Sequence, residues 1–293
     1  MRKGKAHGTT DHAAVLVTGS TGTTGSRVAS RLVALGHRVS AATRRPTAPD
    51  SARSVRFDWH EPSTYAHALH GADRVYLVPP VGDPHPAAVM LPFLHEAREA
   101  GVRRAVLLGS SAIPAGGPGV GRVQEALPGL FEEWAVLRPS WFMQNFTGDH
   151  VHADGIRTEG VIRTATGTGR VGFVDADDIA AVAVHALTDD RPPNTDLLLT
   201  GPEALSHDDI ADILTGTTGR PVAHRPLSPG QLRDRLTAAG MPAEFAGMLA
   251  ELDRAIAAGA EDRVLDTVER VTGRPARSFR RHVEETMRQA RTP

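Results

Sequence analysis

The run VLVTGSTGTTGSR, Val15 to Arg27, sets Gly19, Gly22 and Gly25 in a G-x-x-G-x-x-G spacing directly after an apolar stretch. Glycines so placed let a chain turn tightly from a strand into a helix, let its backbone approach a pyrophosphate, and let the helix pack close to the strand. The first amides of that helix then face the anion. Further on, GHRVSAATRRPTAPD holds Arg44 and Arg45 where a dinucleotide site for NAD would carry a carboxylate, with no acid before Asp50. Arginine there suits a ribose 2′-phosphate, so the expected nucleotide is NADP(H) in preference to NAD(H). Asp58, at the end of a third apolar run in RFDWHEP, is placed either to meet the adenine or to cap the helix that follows.

Several other side chains could move protons or hold a ligand. GDHVHAD places His150 and His152 two apart between Asp149 and Asp154, a pattern open to a proton donor, to metal ligation or to an ordinary polar loop. His150 is the catalytic candidate, and no metal site is assigned. Asp175, Asp177 and Asp178 precede the apolar IAAVAVHAL, where capping and the helix dipole account for them. Only 4% of the chain is aromatic, yet Trp141, Phe142 and Phe146 fall within WFMQNF. They read either as an apolar wall for a flat ligand, with Asn145 to orient it, or as core packing.

These residues need a scaffold. Apolar runs at 13–18, 38–43, 54–57, 74–78, 103–109 and 134–138 read as strands, and Thr23 to Leu35 and Pro84 to Ala100 as helices between them. Such alternation predicts a doubly wound parallel sheet covered by helices on both faces. Residues 118–130 are poor in helix formers and carry the weakest helical signal. Gly172 to Leu187 and Asp196 to Thr200 suggest one more helix and strand, and from Gly201 the pattern turns mainly helical. The expected organisation is a short disordered arm over 1–12, a nucleotide-binding domain over 13–200 with a cleft segment at 140–170, and a smaller substrate domain over 201–293.

Composition narrows the class. No stretch approaches the roughly eighteen apolar residues of a membrane span, and there is no secretory signal and no cysteine. These features fit a cytoplasmic protein without disulfides or thiolate chemistry. A net charge of −1 gives no bulk attraction to nucleic acid. The basic Arg274 to Arg291 segment is interrupted by Glu284 and Glu285 and reads as a solvated helix. The expected partner is therefore a small molecule, and the chain a monomer or homodimer.

The glycine run with its arginines, FDWHEPSTYAHAL, VYLVPP, LRPSWFMQNF and VGFVDADDIAAVA resemble, in order and spacing, the NmrA-like atypical short-chain dehydrogenases/reductases. The closing VERVTGRPARSFRRHVEE is similar to the bacterial branch related to ergot-alkaloid reductases. The resemblance implies a Rossmann-type fold with the substrate cleft between the sheet and the C-terminal domain. It also implies that Gly19, Ser20, Thr21, Gly22, Thr23, Thr24 and Gly25 hold the pyrophosphate, and that Arg44 meets the 2′-phosphate. Asp58 and Trp59 would face the adenine, and Val78, Pro79 and Ser110 would line the nicotinamide side. Pro80, Ser111, Trp141, Phe142, Asn145 and Phe146 would line the substrate cleft, with Ser110 a second catalytic candidate.

The chain departs from wider short-chain dehydrogenases in one respect. Of 33 basic residues only Lys3 and Lys5 are lysines, and neither Tyr65 nor Tyr76 has a lysine four residues on. The Tyr-x-x-x-Lys pair that protonates an alkoxide is therefore missing; Gln124 and Glu125 fall in the region where its lysine would lie. Hydride delivered to an iminium or an activated alkene needs no strong enzyme acid, so the absence favours such acceptors over ketones. The favoured reading is a reductase; the alternative is a protein that senses NADP without turnover, and a third, minor reading is a non-redox cyclase or isomerase.

Overall fold

The computed structural model describes residues 12–45 and 52–290; the expected arm over 1–12 lies outside them except for His12. The chain runs β1 (Ala14–Val17), α1 (Gly25–Ala34), β2 (Arg38–Thr43), β3 (Arg53–Arg56), α2 (Tyr65–Leu69), β4 (Arg74–Leu77) and α3 (Ala87–Glu99). It continues through β5 (Arg104–Leu108), α4 (Gly121–Leu130), β6 (Glu133–Pro139), α5 (Val151–Glu159), β7 (Val161–Thr164), α6 (Ala176–Thr188) and β8 (Thr195–Leu199). The last part comprises α7 (His207–Thr218), β9 (Ala223–Pro226), α8 (Pro229–Ala238), α9 (Ala243–Ala257), α10 (Thr267–Thr272) and α11 (Phe279–Ala290).

Seven strands form one parallel sheet in the order β3-β2-β1-β4-β5-β6-β8. Its central strands, AVLV in β1 and RAVLL in β5, are buried throughout, as strands covered on both faces must be. On one face α1, α6 and α10 pack Val28, Leu32, Ile179, Ala183 and Val268 onto Val15, Val17 and Val106. On the other, α2, α3 and α4 pack Leu69, Phe93, Leu94 and Leu127 onto Leu16, Leu77 and Leu107. The sheet is thus doubly wound, and order reverses beside β1, where crevices of this architecture form at the carboxyl edge.

Of residues 118–130, Gly121–Leu130 do form a helix, α4, despite Gly121, Pro128 and Gly129. Val123 and Leu127 are fully buried against the sheet, and this packing outweighs weak propensity. After β6 the chain leaves the sheet. Met143, Phe146, Ile162, Val171 and Phe173 pack with Leu205, Ile210, Ile256 and Phe279 from the later helices. A small second sheet, β7 paired parallel with β9, holds this cluster together. Helices α7 and α8 begin at paired caps, Ser206 with Asp209 and Ser228 with Gln231, each side chain meeting the other's backbone amide.

Candidate cofactor crevice and adjoining pocket

The glycine loop is built by contacts that only glycine permits. Thr18, buried at the end of β1, donates its hydroxyl to the Tyr76 carbonyl at 3.1 Å and accepts from the Val78 amide at 2.7 Å. This ties the loop to the end of β4. Gly19 turns with φ +60°, and a Cβ on it would lie 2.9 Å from that of Val78. Gly25 opens α1 so close to the loop that a Cβ would fall 2.2 Å from the Gly19 carbonyl oxygen. No acidic side chain occupies the first turn of α1 and no side chain caps it; the Ser26 amide turns back to the Gly22 carbonyl at 3.1 Å, and no side chain competes with an anion at the helix start. A cradle that any Cβ would fill, in front of an uncapped helix start, fits a pyrophosphate.

From this loop a crevice enclosing about 1330 Å³, open solvent included, runs along the carboxyl edge of the sheet. Thr21, Gly22, Thr23 and Thr24 form its floor with Gly19. At one end stand Ala42, Thr43 and the exposed Arg44 beyond β2, with Asp58, Trp59 and His60 beyond β3. The Trp59 indole donates to the Val78 carbonyl at 3.1 Å and packs edge-on against Phe57 and Phe93, which fixes that wall. Asp58 accepts from the His60 amide at 2.9 Å, so it stabilises its own turn while lining the crevice. At the other end lie Val78, Pro79, Pro80 and Val81, with Leu108 and Phe142. Ten of the expected cofactor residues, together with Pro80 and Phe142, are brought to this one surface.

Other expected site residues fall elsewhere. Ser20 is fully buried and donates to the Ala42 carbonyl at 2.9 Å, holding the loop to β2, and Gly25 lies beneath the surface. Ser110 and Ser111 do not line the crevice. The Ser110 hydroxyl accepts from the Ala112 amide at 3.3 Å, and Ser111 donates to buried Glu261 at 2.8 Å. Glu261 is held in turn by Arg263 at 3.0 Å, a link between β5 and the last third of the chain. Phe146 is 3% exposed and packed among Phe173, Phe279 and His207, so of the two readings of the aromatic run, core packing describes it.

Neither tyrosine can serve as the acid. Tyr65 donates to the Trp59 carbonyl at 2.6 Å, and burial pushes its hydroxyl pKa up. Tyr76 is wholly enclosed and cannot reach a bound substrate, and burial raises its hydroxyl pKa.

Trp141, Asn145 and His150 line a second pocket instead, enclosing about 800 Å³ with open solvent included, between α5, β7, α8 and α9. His150 caps α5, its Nδ1 accepting from the His152 amide at 3.2 Å. Burial lowers the pKa of both histidines, which keeps both rings neutral at pH 7. Asp253 shares the pocket, and no sequence signal marked it. Among the described residues no group of three or more His, Cys, Asp or Glu is arranged to hold a metal ion.

Asp175 caps α6 by accepting from the Asp177 amide at 2.8 Å. It also meets Gln144 at 2.9 Å, Arg277 at 3.0 Å and His282 at 2.9 Å, partners the sequence did not indicate. Burial pushes its carboxyl up, but the hydrogen bond from His282, that from the Asp177 amide and the Arg277 charge together hold it well below the usual range.

Comparison with known proteins agrees with this geometry. A family model described as NAD(P)H-binding matches residues 19–190. The chain is 48% identical over 265 residues to the oxidoreductase YesF of Bacillus subtilis, covering 90% of this chain and 92% of that one. It is 37% identical over 277 residues to festuclavine synthase II of Penicillium roqueforti, covering 91% and 96%. Among solved structures, an NADPH-dependent quinone oxidoreductase from Escherichia coli in complex with NADPH superposes with a TM-score of 0.79 at 22% identity, over 93% of this chain and 99% of that one. No helix is long and apolar enough to cross a membrane among the described residues.

Proposed function

Since the chain belongs to the NAD(P)H-binding oxidoreductases, on their NmrA-like atypical short-chain dehydrogenase/reductase branch, we propose that it is an NADPH-dependent reductase of a small, largely apolar organic molecule. The reading rests on one observation: a single crevice joins the glycine cradle to Arg44 at one end and to an apolar wall at the other, with no tyrosine or lysine along it among the described residues. When bound, NADPH supplies hydride. The chain's own residues bind, orient and exclude water. The start of α1 takes the pyrophosphate, Arg44 pairs with the 2′-phosphate, and Asp58 with Trp59 bounds the adenine side. Val78, Pro79, Pro80, Leu108 and Phe142 form an apolar wall at the reacting end, where positioning supplies the rate.

The missing acid decides the acceptor. Reduction of a ketone leaves an alkoxide that must be protonated at once, and no side chain on this wall can do it. An iminium becomes a neutral amine on hydride addition, and the enolate from an activated alkene can take its proton from water. The relatives named for clavine alkaloids fit such chemistry, and their names support an alkaloid-like secondary metabolite as the substrate class.

Titrating the protein with NADPH and NADH, wild type beside Arg44→Ala, tests the assignment. We expect NADPH to bind about ten- to a hundredfold more tightly than NADH, the range of a charge-assisted contact, and the preference to collapse in the variant. An unchanged preference would remove Arg44 from the phosphate site. Tight NADPH binding without its oxidation by any iminium, enone or quinone would replace the reductase with an NADP sensor.

A further inference from the structure

The second pocket is separate from the cofactor crevice, since no residue lines both. Its walls are Trp141, Leu232, Leu236, Met241, Leu249 and Leu252, enough apolar surface to desolvate a hydrocarbon or aromatic body. Into these walls α9 brings one carboxylate, Asp253. Its Oδ2 accepts from the Ala165 amide, just beyond β7, at 2.7 Å. Beyond that bond Asp253 has no hydrogen bond and no ion pair among the described residues, which leaves Oδ1 without a partner.

Two arginines line the same pocket, and both are turned towards Glu159 rather than Asp253. Arg163 grips Glu159 with two bonds, at 3.0 and 2.6 Å, and Arg235 approaches the same carboxylate at 4.0 Å. His150 and His152, facing the pocket from α5 and its cap, are held neutral by burial. A carboxylate in an apolar wall is costly unless paired, and nothing in the fold pairs this one. A neutral ligand would leave the Asp253 charge uncompensated.

We propose that this pocket is a binding site for a lipophilic monocation, an aryl- or alkyl-ammonium whose apolar body lies against Trp141 and the leucines and whose charge meets Asp253. Burial pushes the Asp253 carboxyl up to about 6, so at pH 7.5 it stands ionised and available to that charge. The assignment goes beyond the reductase reading, because binding here requires neither cofactor nor turnover.

The test is calorimetric titration of the full chain at pH 7.5, without nucleotide, using phenylbutylamine, phenylbutanol and phenylbutyrate: one body carrying a positive, a neutral and a negative head. The amine should bind about ten- to a hundredfold more tightly than the alcohol, with the acid weakest. Asp253→Asn keeps an acceptor for the Ala165 amide and should bring the amine down to the affinity of the alcohol. Asp253→Glu, which restores the charge, should recover part of the difference. Equal affinity for amine and alcohol, amine binding unchanged in Asp253→Asn, or no binding of any of the three by the folded protein would each overturn the proposal. Loss of NADPH binding or of reduction in a parallel assay would bear on the reductase reading alone.

Discussion

Gly25→Ala is the sharpest probe of the cofactor cradle, because the structure gives the size of the conflict. The added methyl would lie 2.2 Å from the Gly19 carbonyl oxygen, 2.7 Å from its carbon and 3.0 Å from the Thr18 carbonyl oxygen. All three atoms are backbone, so no side chain can swing aside. Restoring contact distance needs a shift of about 1 Å between the start of α1 and the loop, and displacements of that size in positioning elements cost on the order of a hundredfold in binding or rate. Val28 and Leu32 pin α1 to the sheet, so the loop must move, at about 1–3 kcal/mol of overpacking strain. Gly216→Ala is the matched control: it lies inside α7, nothing stands within 4 Å of its Cβ position, and alanine there should stabilise by about 0.5–1 kcal/mol. NADPH titration with thermal unfolding of both variants separates cradle from fold. Gly25→Ala binding NADPH within threefold of wild type, while folded, would refute the cradle.

Two further outcomes concern buried carboxylates. The ordinary carboxyl of the unfolded chain titrates near 3.8, whereas the folded Asp253 titrates at about 6. The native state therefore holds its proton longer, stability falls as pH rises from 4 to 6, and a deficit of about 3 kcal/mol persists above. Asp253→Asn should thus gain on wild type across that window in pH-dependent unfolding; a flat difference would contradict it. Asp175 has the opposite sign: its folded pKa is depressed, so its contribution is complete above the unfolded value and fades as acid titrates the folded group. Asp175→Asn, which weakens the contacts to His282 and Arg277, should cost about 3–5 kcal/mol at pH 7, with the gap to wild type narrowing from pH 4 down towards 2. A gap independent of pH would rule out the ion-pair account.

The parts legible in the sequence are those whose physics is local. Glycines that a loop requires, apolar runs buried on both faces and arginines at a strand end all depend on near neighbours, and the parallel sheet with its crevice could be read from them. The β7–β9 sheet could not, because AHRP in β9 is mostly exposed and carries no alternation. Asp253 was invisible for a different reason. Its neighbours come from α5, β7, α8 and α9, and no spacing along α9 signals a pocket formed by three other elements. Ser111 with Glu261, and Asp175 with His282, are likewise pairs separated by 150 and 107 residues. Phe146 shows the limit of composition: a cluster of aromatics can face a ligand or a core, and only the packing decides which.

The segment after β6 carries both cavities. Phe142 sits in extended backbone, φ −79° and ψ 136°, bridged to Val174, so its side chain and that of its neighbour leave the chain on opposite sides. Phe142 accordingly lines the cofactor crevice while Trp141 lines the apolar pocket. At this point adjacent residues of one extended segment line the two cavities. The proposed cation site and the proposed acid-free reduction would then select the same kind of molecule from two independent features, a carboxylate whose Oδ1 has no partner among the described residues and a sequence with no Tyr-x-x-x-Lys pair.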